Sequence, residues 1–217
     1  MCLRDFIKTH YASACDLQRG ILRDGEMKSM LMSGNSDDRL VMAWMKDYGL
    51  FQGIKNEVRK KAAAAFLAFA TRHRDSANVT DRAVLAATYR ELFAALFSTE
   101  RRSWLSATSK LLWCIYPDQI VLYDSFVERT LIVMQGLDVE LARFTRLGNP
   151  PSVKVKADIS SAVAYYMNYQ DMVRHLFAAN VATLRQLRKQ HNESYPHDIR
   201  IFDKLLWMIG NPNYRFQ

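Results

Sequence analysis

Residues 106–131 read SATSKLLWCIYPDQIVLYDSFVERTL. Thr108, Leu111, Leu112 and Ile115, extended upstream by Trp104, recur at helical spacing and predict a helix that stops before Pro117. Pro117 and Asp118 form the turn, and Ile120, Val121 and Leu122 make an apolar run where the chain should dive inward. Asp124 then opens a second helix that continues through about Met134. An acid between Tyr123 and Ser125 is either a helix cap or a reagent. Aspartate is a preferred N-cap and its charge suits the helix dipole. The two readings are compatible, because a capping carboxylate is held in one orientation, as a catalytic one needs to be.

Successive residues of a helix rotate by about 100°. On the first of the two helices this puts Lys110 nearly opposite the apolar stripe, flanked by Ser106, Ser109 and Trp113. One account is a solvated lysine beside a tryptophan packed under another element. The other is a basic, aromatic-lined groove for a nucleobase, in which ring stacking and phosphate attraction act together.

The same pattern continues in both directions. After the N-terminal segment, SGNSDD (residues 33–38) caps a helix carrying Leu40, Val41, Trp44, Met45 and Tyr48 on one stripe. A second runs from about Ile54 to Arg72, with Val58, Ala62, Phe66 and Phe69 inward and Lys55, Arg59, Lys60 and Lys61 outward. Thr80 or Asp81 caps a third, whose stripe is Leu85, Tyr89, Leu92, Phe93 and Leu96. RLGNPPSVKVK (146–156) is the clearest linker. A long helix follows over about Asp158–Lys189, and HNESYPHD separates it from a last one at Ile199–Ile209. No hairpin signal and no solenoid repeat is present. KLLW occurs at 110–113 and again at 204–207, which four residues in two amphipathic helices produce by chance. The fold class is all-α.

With 217 residues, 49% apolar and 24% charged, the chain can bury a real core in one domain or two small lobes. A net charge of +8 points to a polyanionic partner, with a membrane surface or plain solubility as alternatives. Cys2, Cys15 and Cys114 have no metal-ligand spacing and suit reduced thiols in a cytoplasmic protein. His73, His175 and His197 have no companions at metal spacing, so no metal is expected. No Gly-rich phosphate loop is present, so nucleotide hydrolysis is not expected; no cofactor is expected either. The longest apolar run, Ala62–Ala70, falls far short of the ~20 residues that span a bilayer.

SATSK followed by LYDSFV resembles the helix-hairpin-helix base-excision DNA glycosylases, the superfamily of endonuclease III and the oxoguanine glycosylases. Lys110 matches that family's hairpin lysine, Asp124 its catalytic aspartate, Ser125 the small polar residue and Val127 the β-branched one. The likeness covers roughly Thr80–Met134. It departs in the hairpin, FSTERRSWLSATSK, which has no glycine, so Arg101 and Arg102 would contact phosphate by charge. No four-cysteine cluster follows, which excludes the iron–sulfur branch.

The resemblance implies a two-lobed helical fold. Residues 80–147 would form the catalytic core, while 1–79 and 148–217 would together complete the second lobe. It implies an enzyme that extrudes and excises a modified base from double-stranded DNA, leaving an abasic site. The base could be a bulky hypermodified cytosine of the phage type, excised in antiviral defence. Asp124 would stabilise the oxocarbenium-like sugar and direct water, and Lys110 would either form a Schiff base or grip phosphate. The monofunctional outcome is favoured. Trp113, Tyr116 and Tyr123 would line the base pocket, with Tyr48, Phe51 or Tyr123 as the wedge; core or hairpin packing is the competing and more usual use of those last three aromatics. Arg101, Arg102, Ser106, Ser109, Lys60 and Lys61 would meet DNA.

Two other readings compete. A HEPN-type ribonuclease would use an Arg and a His on one helix, and Arg4 with His10 or Arg185 with His191 have suitable spacing. A non-catalytic helical module would bind nucleic acid or protein through the basic faces at 57–61, 71–74 and 184–190.

Overall fold

The computed structural model describes residues 2–19, 23–74 and 80–215, with the backbone alone at Arg19. Among these residues there are ten α-helices and no strand. They are α1 (Leu3–Arg19), α2 (Arg23–Ser33), α3 (Asp38–Asp47), α4 (Asn56–His73), α5 (Arg82–Thr99), α6 (Leu105–Ile115), α7 (Ser125–Gln135), α8 (Val139–Ala142), α9 (Ile159–Gln190) and α10 (Asp198–Gly210). The protein is all-α.

Aspartates start four of these helices. Asp37 accepts from the Arg39 and Leu40 N–H groups at α3, and Asp81, not Thr80, accepts from Ala83 and Val84 at α5. Asp124 and Asp138 do the same at α7 and α8. Gly49 stops α3 with a positive φ of 66°. The Leu50 N–H reaches the Met45 carbonyl at 3.0 Å and the Gly49 N–H reaches that of Lys46 at 2.9 Å, the two bonds of a Schellman motif.

The chain divides into two compact units. The first comprises Met1–Gly20, Val121–Asn149 and Asn168–Gln217; the second comprises Ile21–Ile120 and Pro150–Met167. Residues 23–74 thus fall in one unit with 80–120, while 121–149 fall with both chain ends. The expected 79/80 boundary touches residue 79, which lies outside the described residues.

In the second unit α6 is the central helix, packed against α2, α4 and α5. Leu105 and Ala107 through Cys114 are all buried, so this helix has no wet face. That corrects the outward position expected for Lys110 and Ser109, while Trp113 is packed under other elements, as one of the two accounts had it. The spacing rule locates a stripe, and it fails where neighbours cover every side. Tyr89 stacks on Tyr166 with ring centroids 3.9 Å apart, and its hydroxyl donates to the Leu105 carbonyl at 2.8 Å.

In the first unit α10 lies between α1 and α7. The N-terminal segment, read from sequence without a helix, contributes α1, whose Phe6, Ile7, Tyr11, Ala14 and Cys15 are buried. Gly210 sets the distance between α10 and α7. An added Cβ there would lie 2.7 Å from both the Phe126 carbonyl carbon and Thr130 Oγ1, and nearer still to the carbonyl oxygen.

Candidate functional site

Asp124 is held from both sides of the chain. Upstream, the Val121 N–H donates to Gln170 Oε1 at 3.1 Å, and the Tyr169 hydroxyl donates to the Leu122 carbonyl at 2.8 Å. Tyr123 is buried, with its ring edge-on to Tyr169 at 5.1 Å and its hydroxyl donating to Glu128 Oε1 at 2.8 Å. These bonds explain why the apolar run turns inward: α9 supplies partners for its backbone. Downstream, Asp124 has extended backbone angles and its Oδ1 accepts from the Phe126 N–H at 3.0 Å. Its side chain is half-buried.

A row of rings begins at that same Phe126. Its ring meets Trp207 of α10 at 5.8 Å and 77°, and Trp207 meets Tyr214 at 6.3 Å and 70°. The Arg129 guanidinium lies over Phe126 at 5.5 Å, and Lys204 Nζ lies over the Trp207 ring at 5.2 Å. Sequence reasoning missed this cluster. Its only local signal was the second KLLW, which places a lysine one helical turn before a tryptophan.

The second unit holds a buried polar cluster around Lys110. This lysine is only 5% exposed. Its Nζ donates to Ser106 Oγ at 2.8 Å and lies 5.9 Å from the Tyr48 ring centroid. The Tyr48 hydroxyl donates to the buried Asp24 carboxylate at 2.9 Å, and Trp44 Nε1 donates to Asp24 Oδ1 at 2.8 Å. Lys28 lies over Trp113 at 5.6 Å. Burial pushes the Lys28 ammonium below its ordinary value, against the opposing pull of Asp118, Cys114 and Asp24.

The remaining expected residues fall as follows. Tyr116 is buried and its hydroxyl donates to the His73 carbonyl at 3.3 Å. Ser109 is fully buried and Ser106 is half-buried. Arg101, Lys60 and Lys61 are exposed, whereas Arg102 is half-buried over the Trp104 ring at 5.5 Å. Phe51 is buried beneath the Arg59 guanidinium. Asp124 and Tyr123 belong to the first unit, and Lys110, Trp113, Tyr116, Arg101, Arg102, Lys60 and Lys61 to the second. Both Arg–His pairs belong to the first unit: His10 packs on Phe6 at 4.5 Å and His191 on Tyr11 at 5.5 Å. Arg4 and Arg185 are exposed. Among the described residues no group of three His, Cys, Asp or Glu side chains could hold a metal ion. None of the described helices is long and apolar enough to cross a membrane. No protein-family model matches the chain, nor does any curated protein or solved structure.

The displaced Lys28 titration has a measurable consequence. A lysine whose folded-state pKa is depressed is destabilising while it is charged. The unfolded chain binds more protons between the lowered value and the ordinary one near 10.5, so stability rises with pH across that window. Lys28→Met removes the titration. The variant should match or exceed the native protein at pH 7 and lose that margin as pH approaches the ordinary lysine range. Urea unfolding at a series of alkaline pH values checks this; a margin independent of pH contradicts the burial effect.

Proposed function

We propose that the protein is a DNA glycosylase with Asp124 as its acting carboxylate. The observation behind this reading is the placement of Asp124: half-buried, bonded to the Phe126 N–H, and led into by backbone that Tyr169, Gln170 and Tyr123 hold. A carboxylate fixed this way loses little freedom on meeting substrate, so its charge is already aimed when positive character develops at the sugar. In the proposed reaction the C1′–N bond breaks and its electron pair leaves with the base. A water oxygen bonds C1′, and the carboxylate takes the proton that the water gives up.

The substrate is double-stranded DNA carrying a modified base, with a bulky phage-type hypermodified cytosine as the leading candidate and antiviral defence as the corresponding role. The basic surface, including Arg101, Lys60 and Lys61, suits a polyanion. Tyr123 acts in this scheme through position, by anchoring the chain one residue before the acid. The enzyme is monofunctional: Lys110, buried and bonded to Ser106, stays out of the reaction. Cys2, Cys15 and Cys114, none of them in a disulfide, suit a reducing cytoplasm.

A panel of duplexes bearing normal and modified bases, scored for strand breaks after alkali, tests the proposal. At least one modified duplex should yield abasic sites, and borohydride should trap no covalent adduct. Failure to release a base from any duplex, or RNA cleavage that His191→Ala abolishes, would overturn it.

A further inference from the structure

The protein has four tryptophans. Trp44, Trp104 and Trp113 are at most 2% exposed, while Trp207 remains half-buried. A tryptophan that is not fully covered can still offer its ring to a ligand. Trp207 also sits in the middle of the ring row and carries Lys204 over its face, while Arg129 covers Phe126 in the same way. Arg129 is exposed, so this cation flanks the row on its solvent side. Buried Asp203 and Glu128 have their partners, Arg200 and Tyr123, in the interior of the same unit. The outward chemistry is thus rings alternating with positive charge, at the turn of α7 that Asp124 caps.

We infer that Trp207 is a stacking platform for an unpaired nucleotide, with Lys204 and Arg129 taking the phosphates on either side. Alternating rings and cations fit a single strand of nucleic acid, because each nucleotide offers a flat π-face and a negative charge at a fixed interval. A cation over a partly exposed ring is held weakly compared with a stacked base. An arriving base therefore displaces Lys204 from the indole, and the freed ammonium moves to phosphate. The inference rests on the glycosylase reading, since it names what the strand beside the extruded base would touch, and it can fail separately.

The test uses a fluorescein-labelled single-stranded DNA of about 12 nucleotides with the full chain. Binding should quench the native tryptophan emission, and Trp207→Phe, which keeps a ring, should bind within about threefold of native while that quenching disappears. Trp207→Ala should weaken binding about 10-fold or more. Lys204→Ala and Arg129→Ala should each lower the slope of log affinity against log salt by about 0.7. Should Trp207→Ala fail to fold, the Trp207→Phe emission decides the matter: quenching that persists overturns the inference. Native affinity in a folded Trp207→Ala variant overturns it too. Asp124→Asn separates the two proposals: it should lose base release yet bind the strand no more weakly than native, because it removes a negative charge at this turn and leaves the rings and cations in place. A native protein that releases no base from any duplex, with weakened binding by Trp207→Ala, would sink the glycosylase reading and leave the platform standing; base release with native affinity in a folded Trp207→Ala variant would do the reverse.

Discussion

Gly210→Ala should lower the unfolding free energy by about 1–3 kcal/mol, although alanine is the better helix former. Propensity alone would favour alanine by about 1 kcal/mol at a helical position. The steric term opposes it and dominates. The added Cβ would meet the Phe126 carbonyl and Thr130 Oγ1 well inside contact distance. A carbonyl in the first turn of a helix cannot swing aside as a long side chain can, so α10 must back away from α7. Retreat also stretches the Thr130 hydroxyl, which lies 2.8 Å from the Leu206 carbonyl and 3.2 Å from that of Phe126. Urea denaturation measures the effect, read as a lower midpoint with an unchanged slope. Since the displaced turn is the one Asp124 caps, base release should fall further than the folded fraction does. A Gly210→Ala protein as stable as native would mean that α10 does not approach Phe126 this closely.

Asp124→Asn should cut base release by about 10²–10⁴-fold while leaving the fold in place. Asparagine caps helices about as well as aspartate, and its Oδ1 can keep the bond to the Phe126 N–H. What it removes is the negative charge and the ability to accept a proton. Asp124→Ala serves as the contrast: it should lose activity and also about 1 kcal/mol of stability through the missing cap. Single-turnover release of the modified base, with circular dichroism as the check on folding, distinguishes the two effects. An Asp124→Asn variant that releases base at the native rate would assign Asp124 to the helix alone.

Most of the helical layout was legible in the sequence because its signals are local. The stripe at Leu85, Tyr89, Leu92, Phe93 and Leu96 is buried as its spacing predicts. The caps at Asp37, Asp81 and Asp124 depend only on the residue and the two or three amides after it. Lys110 shows where such reasoning ends. Its spacing put it opposite an apolar stripe, yet α2, α4 and α5 surround that helix and enclose it. The burial of Tyr116 was equally hidden, since its hydroxyl finds a partner only once the His73 carbonyl is in place.

KLLW makes the division plain, since the same four residues occur twice with opposite outcomes. In α6 the lysine and tryptophan are both buried and meet residues from other helices, Tyr48 and Lys28. In α10 they are half-buried and meet each other. The sequence by itself determined that both stretches are helical, because periodicity and capping act over a few residues of one chain segment. Only the tertiary structure decided which copy faces water, because solvent access depends on neighbours that arrive from distant positions in the chain.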